Sequence, residues 1–232
     1  MLDVSPAIDR WLADGSPVAL ATVINTWGSA PRKVGAHMVI NAEGQISGSV
    51  SGGCVESAVI EEALSSLAED QPRKLHYSVT DEESWEVGLA CGGQIDIFVQ
   101  PLDQDAYRFI REQITADQPA AYTTTISGPQ AGTVSVSTQT GGKRSPYWLD
   151  EHRFVNVVLP RPTLMIVGGA NIAVALTQLA HTLDFKTILI DPRKTFGNSE
   201  RFGEVDQLIQ QWPRKAFEAL TINEAAAITT QL

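Results

Sequence analysis

The sequence predicts a chain of mixed class, an N-terminal α+β domain over residues 1–159 joined to a small α/β domain with a parallel sheet over residues 160–232. Three observations carry this. Between residues 18 and 137 the hydrophobic pattern switches repeatedly from a strand period to a helix period and back. Pro160 and Pro162 then punctuate the chain as an interdomain linker would. Beyond them, continuous apolar runs flank a helical segment, the grammar of a βαβ unit with strands buried on both faces.

The elements follow in order. SPAIDRWLADG sets Ile8, Trp11 and Leu12 at helical spacing between a Ser5 cap and a Gly15 stop. VALATVINTW is a β-branched strand, and AHMVINAEGQISGSV reads as two strands around an Asn-Ala-Glu-Gly turn, with Ile46 and Val50 facing alike. From Cys54 to Ala68 the period becomes helical, directly after Gly52-Gly53. Val55, Val59, Ile60, Ala63, Leu64 and Leu67 share one face, and Glu56, Glu61 and Glu62 take the others. RKLHYSV and GQIDIFVQPL are strands, DAYRFIREQI a helix, and AYTTTIS with AGTVSVSTQT a hairpin. In the second part TLMIVGG and TILID are strands around the helix ANIAVALTQLAHTL. DQLIQQW supplies a third strand, Pro213 opens a helix, and AAAITTQL is a last strand that the chain end cuts short.

Composition narrows the function. A chain of 232 residues, 43% hydrophobic and 19% charged, can bury real cores. Its net charge of −10 excludes a general polyanion binder, because phosphate-backbone affinity rests on clustered Lys and Arg. Nucleic acid is therefore not an expected partner. No stretch reaches the roughly 18 apolar residues of a spanning helix, and Asp3 stands where a signal peptide wants a basic region. The expected compartment is the cytoplasm, with no membrane contact. Two cysteines make no disulfide framework, and a reducing compartment keeps them as thiols, either packed or reactive.

Three glycine-rich segments carry candidate chemistry. Gly168-Gly169-Ala170-Asn171-Ile172-Ala173 stands between a strand and a helix, where a dinucleotide fingerprint would stand. The topology this implies is Rossmann-like. Asp191, 23 residues beyond Gly168 at the tip of the next strand, suits a ribose hydroxyl, whereas the Ala170 methyl obstructs a pyrophosphate. NAD(P) binding and a bare βαβ scaffold both remain open. Gly52-Gly53-Cys54 places a thiol at a helix start, where the dipole favours a thiolate and exposed amides suit an anionic oxygen. Cys91-Gly92-Gly93 is equally open but precedes a strand. Each cysteine alone reads as readily as a packed core residue. No His or carboxylate stands at ligand spacing beside them, and His37 and His76 lie in strands, packed or exposed. The loop TWGSAPRKVGAHM holds Arg32 and Lys33 toward an anion, or is simply a solvated basic turn.

Together ATVINTWGSAPRKVGAHMVINAEGQISGSVSGGCVE and GLACGGQIDIFVQPL resemble the N-terminal domain of the xanthine dehydrogenase accessory protein family, XdhC/CoxI. LMIVGGANIAVALTQLA and ILIDPRKTFGNSERF resemble its Rossmann-like C-terminal domain. The resemblance implies a chaperone more than a turnover enzyme. Such a protein binds molybdenum cofactor (molybdopterin), protects it while a cysteine desulfurase assists its sulfuration, and delivers it to a molybdenum hydroxylase of the xanthine dehydrogenase type. The matching positions are Gly52, Gly53, Cys54 and Glu56 in SGGCVE, Cys91, Gly92 and Gly93 in ACGG, and Ser29, Pro31 and Arg32 in GSAPR. The resemblance makes Cys54 and Cys91 molybdenum or sulfur contacts, and the glycine amides and Arg32 contacts for a pterin phosphate.

Two departures from the family pattern stand out. Ala170 and Asn171 replace a third glycine and a histidine, and the chain ends at Leu232 near a fourth strand. The expected C-terminal domain is therefore a truncated Rossmann-like sheet, whose open edge at AAAITTQL favours a homodimer or higher oligomer. Two other functions stand beside the chaperone. One is an NAD(P)-dependent oxidoreductase using Gly168, Gly169 and Asp191 with Cys91 as redox thiol. The other is a non-catalytic partner-binding scaffold.

Overall fold

The apolar run that begins at Val18 forms the central strand of a five-stranded sheet in the computed structural model, which describes residues 1–28, 30–79, 93–220, 222 and 226–230. The chain divides into two units, Met1–Leu159 and Pro160–Leu232. In the first, β1 (Val18–Gly28) pairs antiparallel with β2 (His37–Asn41) and with β5 (Gly93–Pro101). β3 (Ile46–Gly48) and β4 (Arg73–Val79) complete the order β3-β2-β1-β5-β4. A bulge between Val23 and Asn25 adds one residue to β1, and Ile24 joins a small cluster with Phe98, Ile126 and Phe154.

Alternation along β1 divides its side chains between two cores. Ala19, Ala21 and Val23, with Met38, Ile40, Ile97 and Val99, meet Val59 and Ala63 of helix α2 (Glu56–Glu69). The small alanines of the strand let this helix approach closely. Val18 and Leu20 share the other core with Ile8 and Trp11 of α1 (Ser5–Ala13) and with Tyr107 and Ile110 of α3 (Gln104–Thr115). That core also takes in Tyr122 and Val158 from a second antiparallel sheet. This sheet runs β7-β6-β9-β8, from β6 (Ala120–Thr125), β7 (Val134–Ser137), β8 (Tyr147–Trp148) and β9 (Arg153–Val158).

Local expectations are corrected at three places. Ser5 does not cap α1; its hydroxyl donates to the Leu2 carbonyl of a preceding 3₁₀ turn, and Val4 takes the cap position. Helix α2 begins at Glu56 and not at Cys54, and Ile46 and Val50 do not face alike. Val50 is fully buried while Ile46 is exposed, because β3 ends at Gly48, where φ is +81°. Finally, RFVNVV, just before the prolines, is an element not among those expected from the sequence. It forms β9, which pairs along the whole of β6.

In the second unit, β10 (Thr163–Val167), β11 (Lys186–Ile190), β12 (Gln207–Ile209) and β13 (Ala226–Thr230) form a parallel sheet of order β12-β11-β10-β13. The chain moves outward from β10 to β12 and returns to the other side of β10, the strand order of a Rossmann-like half. Helix α4 (Asn171–Thr182) covers one face through Ala173 against Ile166 and Leu189. Helix α5 (Pro213–Ala219) covers the other through Ala216 against Met165, Ile188 and Ile190. Apolar residues at successive positions of β10 and β11 face opposite helices, which is why these strands read as unbroken apolar runs.

Candidate functional site

The segment from Ser49 to Cys54 folds around the carboxylate of Glu56, the first residue of α2. Gly52 at φ +86° and Gly53 at φ +119° turn successive N–H groups inward, a backbone nest suited to an anion. The anion is internal. Oε1 of Glu56 accepts from the Ser49 hydroxyl at 2.7 Å and from the amides of Ser51 at 2.9 Å, Gly52 at 3.0 Å and Val50 at 3.3 Å. Oε2 accepts from the Gly53 amide at 2.9 Å and from the Ser51 hydroxyl. Burial pushes the Glu56 carboxyl up, but the Ser51 and Ser49 hydroxyls and the Ser51 amide outweigh it and hold it at about 2. The Gly52 and Gly53 amides, expected to suit a ligand phosphate, here donate to the chain's own carboxylate.

Cys54 precedes the first turn of α2 by two residues and is half-buried. Its amide donates to the Ser51 hydroxyl at 2.9 Å, and the Val55 amide does the same at 3.0 Å. Ser49 and Ser51 are the loop residues that sequence reasoning missed. A serine with a Glu three residues on would have signalled a capping box; here Glu56 lies five residues beyond Ser51, which hides the relation.

The loop after β1 joins the same construction. Arg32 Nε donates to the Ser49 carbonyl at 3.0 Å, and a Cβ placed on Gly52 would lie 3.4 Å from Pro31 Cβ. Arg32 keeps 38% of its side chain exposed and lies 3.8 Å from Asp3. On the other side of β1, Gly28 pairs with Gly93, so the start of β5 meets the end of the strand that leads into this loop. Trp27, next to Gly28, is 48% exposed. Thus Pro31, Arg32, Gly52, Gly53, Cys54 and Glu56 come together. Ser29, Cys91 and Gly92 lie outside the described residues. A side-chain pair also missed in the sequence lies across β4 and β5, where His76 Nδ1 and Asp96 Oδ1 are hydrogen-bonded at 2.6 Å, with Asn25 opposite Asp96. His37 is buried in β2. A groove of about 800 Å³ between α1 and α3, lined by Asp9, Tyr107 and Arg111, contains none of the sequence-derived candidates.

The glycine turn of the second unit is filled in the same way. Asp191 is 1% exposed, and its carboxylate accepts from the Gly169 amide at 2.7 Å and from the Arg193 amide at 2.8 Å. Arg193 grips it bidentately at 3.0 and 2.7 Å. Those Arg193 bonds come first, burial opposes them, and with the Gly169 amide they hold the Asp191 carboxyl at about 2. A Cβ on Gly169 would lie 2.7 Å from the Phe196 carbonyl oxygen, and Arg201 bonds the Gly169 carbonyl at 2.9 Å and Asn171 Oδ1 at 3.0 Å. Asp191 is therefore turned inward and not presented to a ribose, and the chain's own 196–201 segment lies over the glycine turn. Gly168, at φ +106°, makes the turn.

Two of these segments decide the family. Residues 11–78 match the XdhC and CoxI family, and residues 164–231 match the XdhC Rossmann domain. The chain belongs to the XdhC and CoxI family. It is 26% identical over 247 residues to a probable xanthine dehydrogenase subunit of Bacillus subtilis, an alignment that covers 96% of this chain and 74% of that protein. It is also 36% identical over 92 residues to the molybdenum cofactor insertion chaperone PaoD of Escherichia coli. That match covers 39% of this chain and 28% of the chaperone. A solved chain from Bacillus halodurans, named a xanthine dehydrogenase, superimposes with a TM-score of 0.78 at 22% identity. The superposition covers 97% of this family member and 73% of the solved chain, and shows a shared fold. Among the described residues of this XdhC-type chain, no helix is long and apolar enough to cross a membrane. Among the same residues no group of three or more His, Cys, Asp or Glu side chains is placed to hold a metal ion.

Proposed function

We propose that this chain is an accessory protein that binds molybdenum cofactor and assists its sulfuration and insertion into a molybdenum hydroxylase of the xanthine dehydrogenase type. The observation that carries the reading is the packing of the GSAPR segment on the loop that leads into SGGCVE, through Arg32 on the Ser49 carbonyl and Pro31 against Gly52, in a loop that ends on the half-buried Cys54. The likeness to an insertion chaperone adds to it.

The donor set suits a cargo held by few contacts. Cys54 offers one soft sulfur to a molybdenum–sulfur centre, and Cys91 is proposed as a second. Arg32 offers its exposed guanidinium edge to a phosphate, a role the Gly52 and Gly53 amides do not share because Glu56 occupies them. Gly93 serves through its pairing with Gly28. The cofactor would supply the molybdenum and its terminal sulfur, while the chain's part is to hold and shield them. We further propose a cytoplasmic setting, a cysteine desulfurase as the sulfur-donating partner and self-association of this chain. NAD(P) has no support in the geometry, since Asp191 and the 196–201 segment fill the turn it would use.

The test is anaerobic incubation of the pure protein with molybdenum cofactor, followed by gel filtration and metal and pterin analysis of the protein peak. Near-stoichiometric molybdenum is expected for wild type, and its loss in the Cys54→Ser/Cys91→Ser double variant. A wild-type peak with neither metal nor pterin overturns the reading, and so does full retention by the double variant.

A further inference from the structure

We infer that Glu56 is a positioning residue, the built-in anion of the Ser49–Gly53 loop, which fixes the backbone leading to Cys54 and closes that loop's amides to a ligand phosphate. The inference rests on the proposed function only in taking Cys54 as the working thiol.

The hydrogen-bond inventory carries it. A carboxylate offers about four lone-pair sites, and Glu56 meets six donors, four backbone amides and two serine hydroxyls. Both hydroxyls are relays. That of Ser51 donates to Glu56 and accepts the amides of Cys54 and Val55, so the carboxylate reaches the Cys54 backbone through a single oxygen. That of Ser49 donates to Glu56 and accepts the Gly52 amide at 2.9 Å, while the carbonyl of the same residue holds Arg32. Glu56 and Arg32 therefore grip one residue from opposite charges, and the loops carrying the proposed thiol and the proposed phosphate contact form one mechanical unit.

Removing the carboxylate takes away the acceptor that the Val50, Ser51 and Gly53 amides share and leaves the Gly52 amide with the Ser49 hydroxyl alone, while Gly52 and Gly53 still hold the inward-turned backbone. A small external carboxylate can take the vacated place. Glutamine replaces only one of the two oxygens, since its NH₂ group at the other position would face the Gly53 amide, a donor, while its bulk keeps acetate out.

The test uses the full chain at one fixed pH. The rate of iodoacetamide alkylation at Cys54 is read from its peptide by mass spectrometry, which separates it from Cys91. Glu56→Ala is expected to change that rate roughly tenfold, the scale set by losing one charge-assisted hydrogen bond. Added acetate should return it toward wild type, chloride at equal ionic strength should not, and Glu56→Gln should respond to neither. An unchanged rate in Glu56→Ala overturns the inference, as does a change that acetate leaves untouched. If Glu56→Ala does not fold, phosphate titration of wild type decides through the amide resonances of Gly52 and Gly53: still resonances are expected, and saturable shifts overturn it. None of these readouts involves molybdenum cofactor, so failure of the chaperone reading and failure of this inference are separable.

Discussion

Glu56 and Asp191 solve the same local problem in different units, each folding a carboxylate back onto the N–H groups of a glycine turn. An ionised acceptor satisfies several converging amides at once, and at Gly169, whose bond to Asp191 is buried, leaving the amide unpaired would be costly. For Asp191 the consequence is a definite pH dependence. Its carboxyl sits at about 2 in the fold against an ordinary 3.8, so the stability it contributes is fully present above 3.8 and lost as pH falls through about 2. Asp191→Asn should therefore lower the melting temperature at neutral pH, and its gap from wild type should shrink on acidification across that window. A gap that stays constant down to the acid limit would show that the charge is not what matters.

At the scale of elements, close approach decides more than propensity. Gly169 lies against the backbone of Phe196, where an added Cβ would meet the carbonyl carbon at 2.9 Å. Gly169→Ala must push the 196–201 segment away, and overpacking of that kind costs about 1–3 kcal/mol, readable in a denaturant midpoint. Because the same segment covers the glycine turn, titration with NAD(P)H should give no fluorescence change at millimolar ligand. A saturable signal there would reopen the nucleotide reading. In the central sheet, Ile97 is fully buried between β1 and α2, and Ile97→Ala should cost about 2–5 kcal/mol with an unchanged denaturant slope. β9 teaches a different lesson: RFVNVV carries strand residues beside the linker prolines, and its pairing with β6 is what makes it a strand.

For the whole molecule, charge and class of fold set the outer limits. A net charge of −10 predicts no retention on immobilised heparin or DNA even at low salt, and retention that falls with salt would contradict it. The mixed architecture, two antiparallel sheets with helices and a parallel sheet of order β12-β11-β10-β13, is legible in the periods of the sequence. Alternation in VALATVINTW and GQIDIFVQPL, the helical face of Val59 and Ala63, and the unbroken runs of β10 and β11 each follow from which sides are buried.

By itself, then, the sequence determined most of the elements, the change of grammar at the prolines and the motifs that mark the XdhC and CoxI family, because periodicity and composition are local and burial imprints them directly. Only the tertiary structure decided what the glycines serve. Whether an amide in SGGC or VGGA meets a ligand or a carboxylate of the same chain depends on positive φ angles and on distances of about three ångströms. Spacing along the chain does not encode these, since Glu56 and Asp191 read equally well as ligands to something else until the loops close around them.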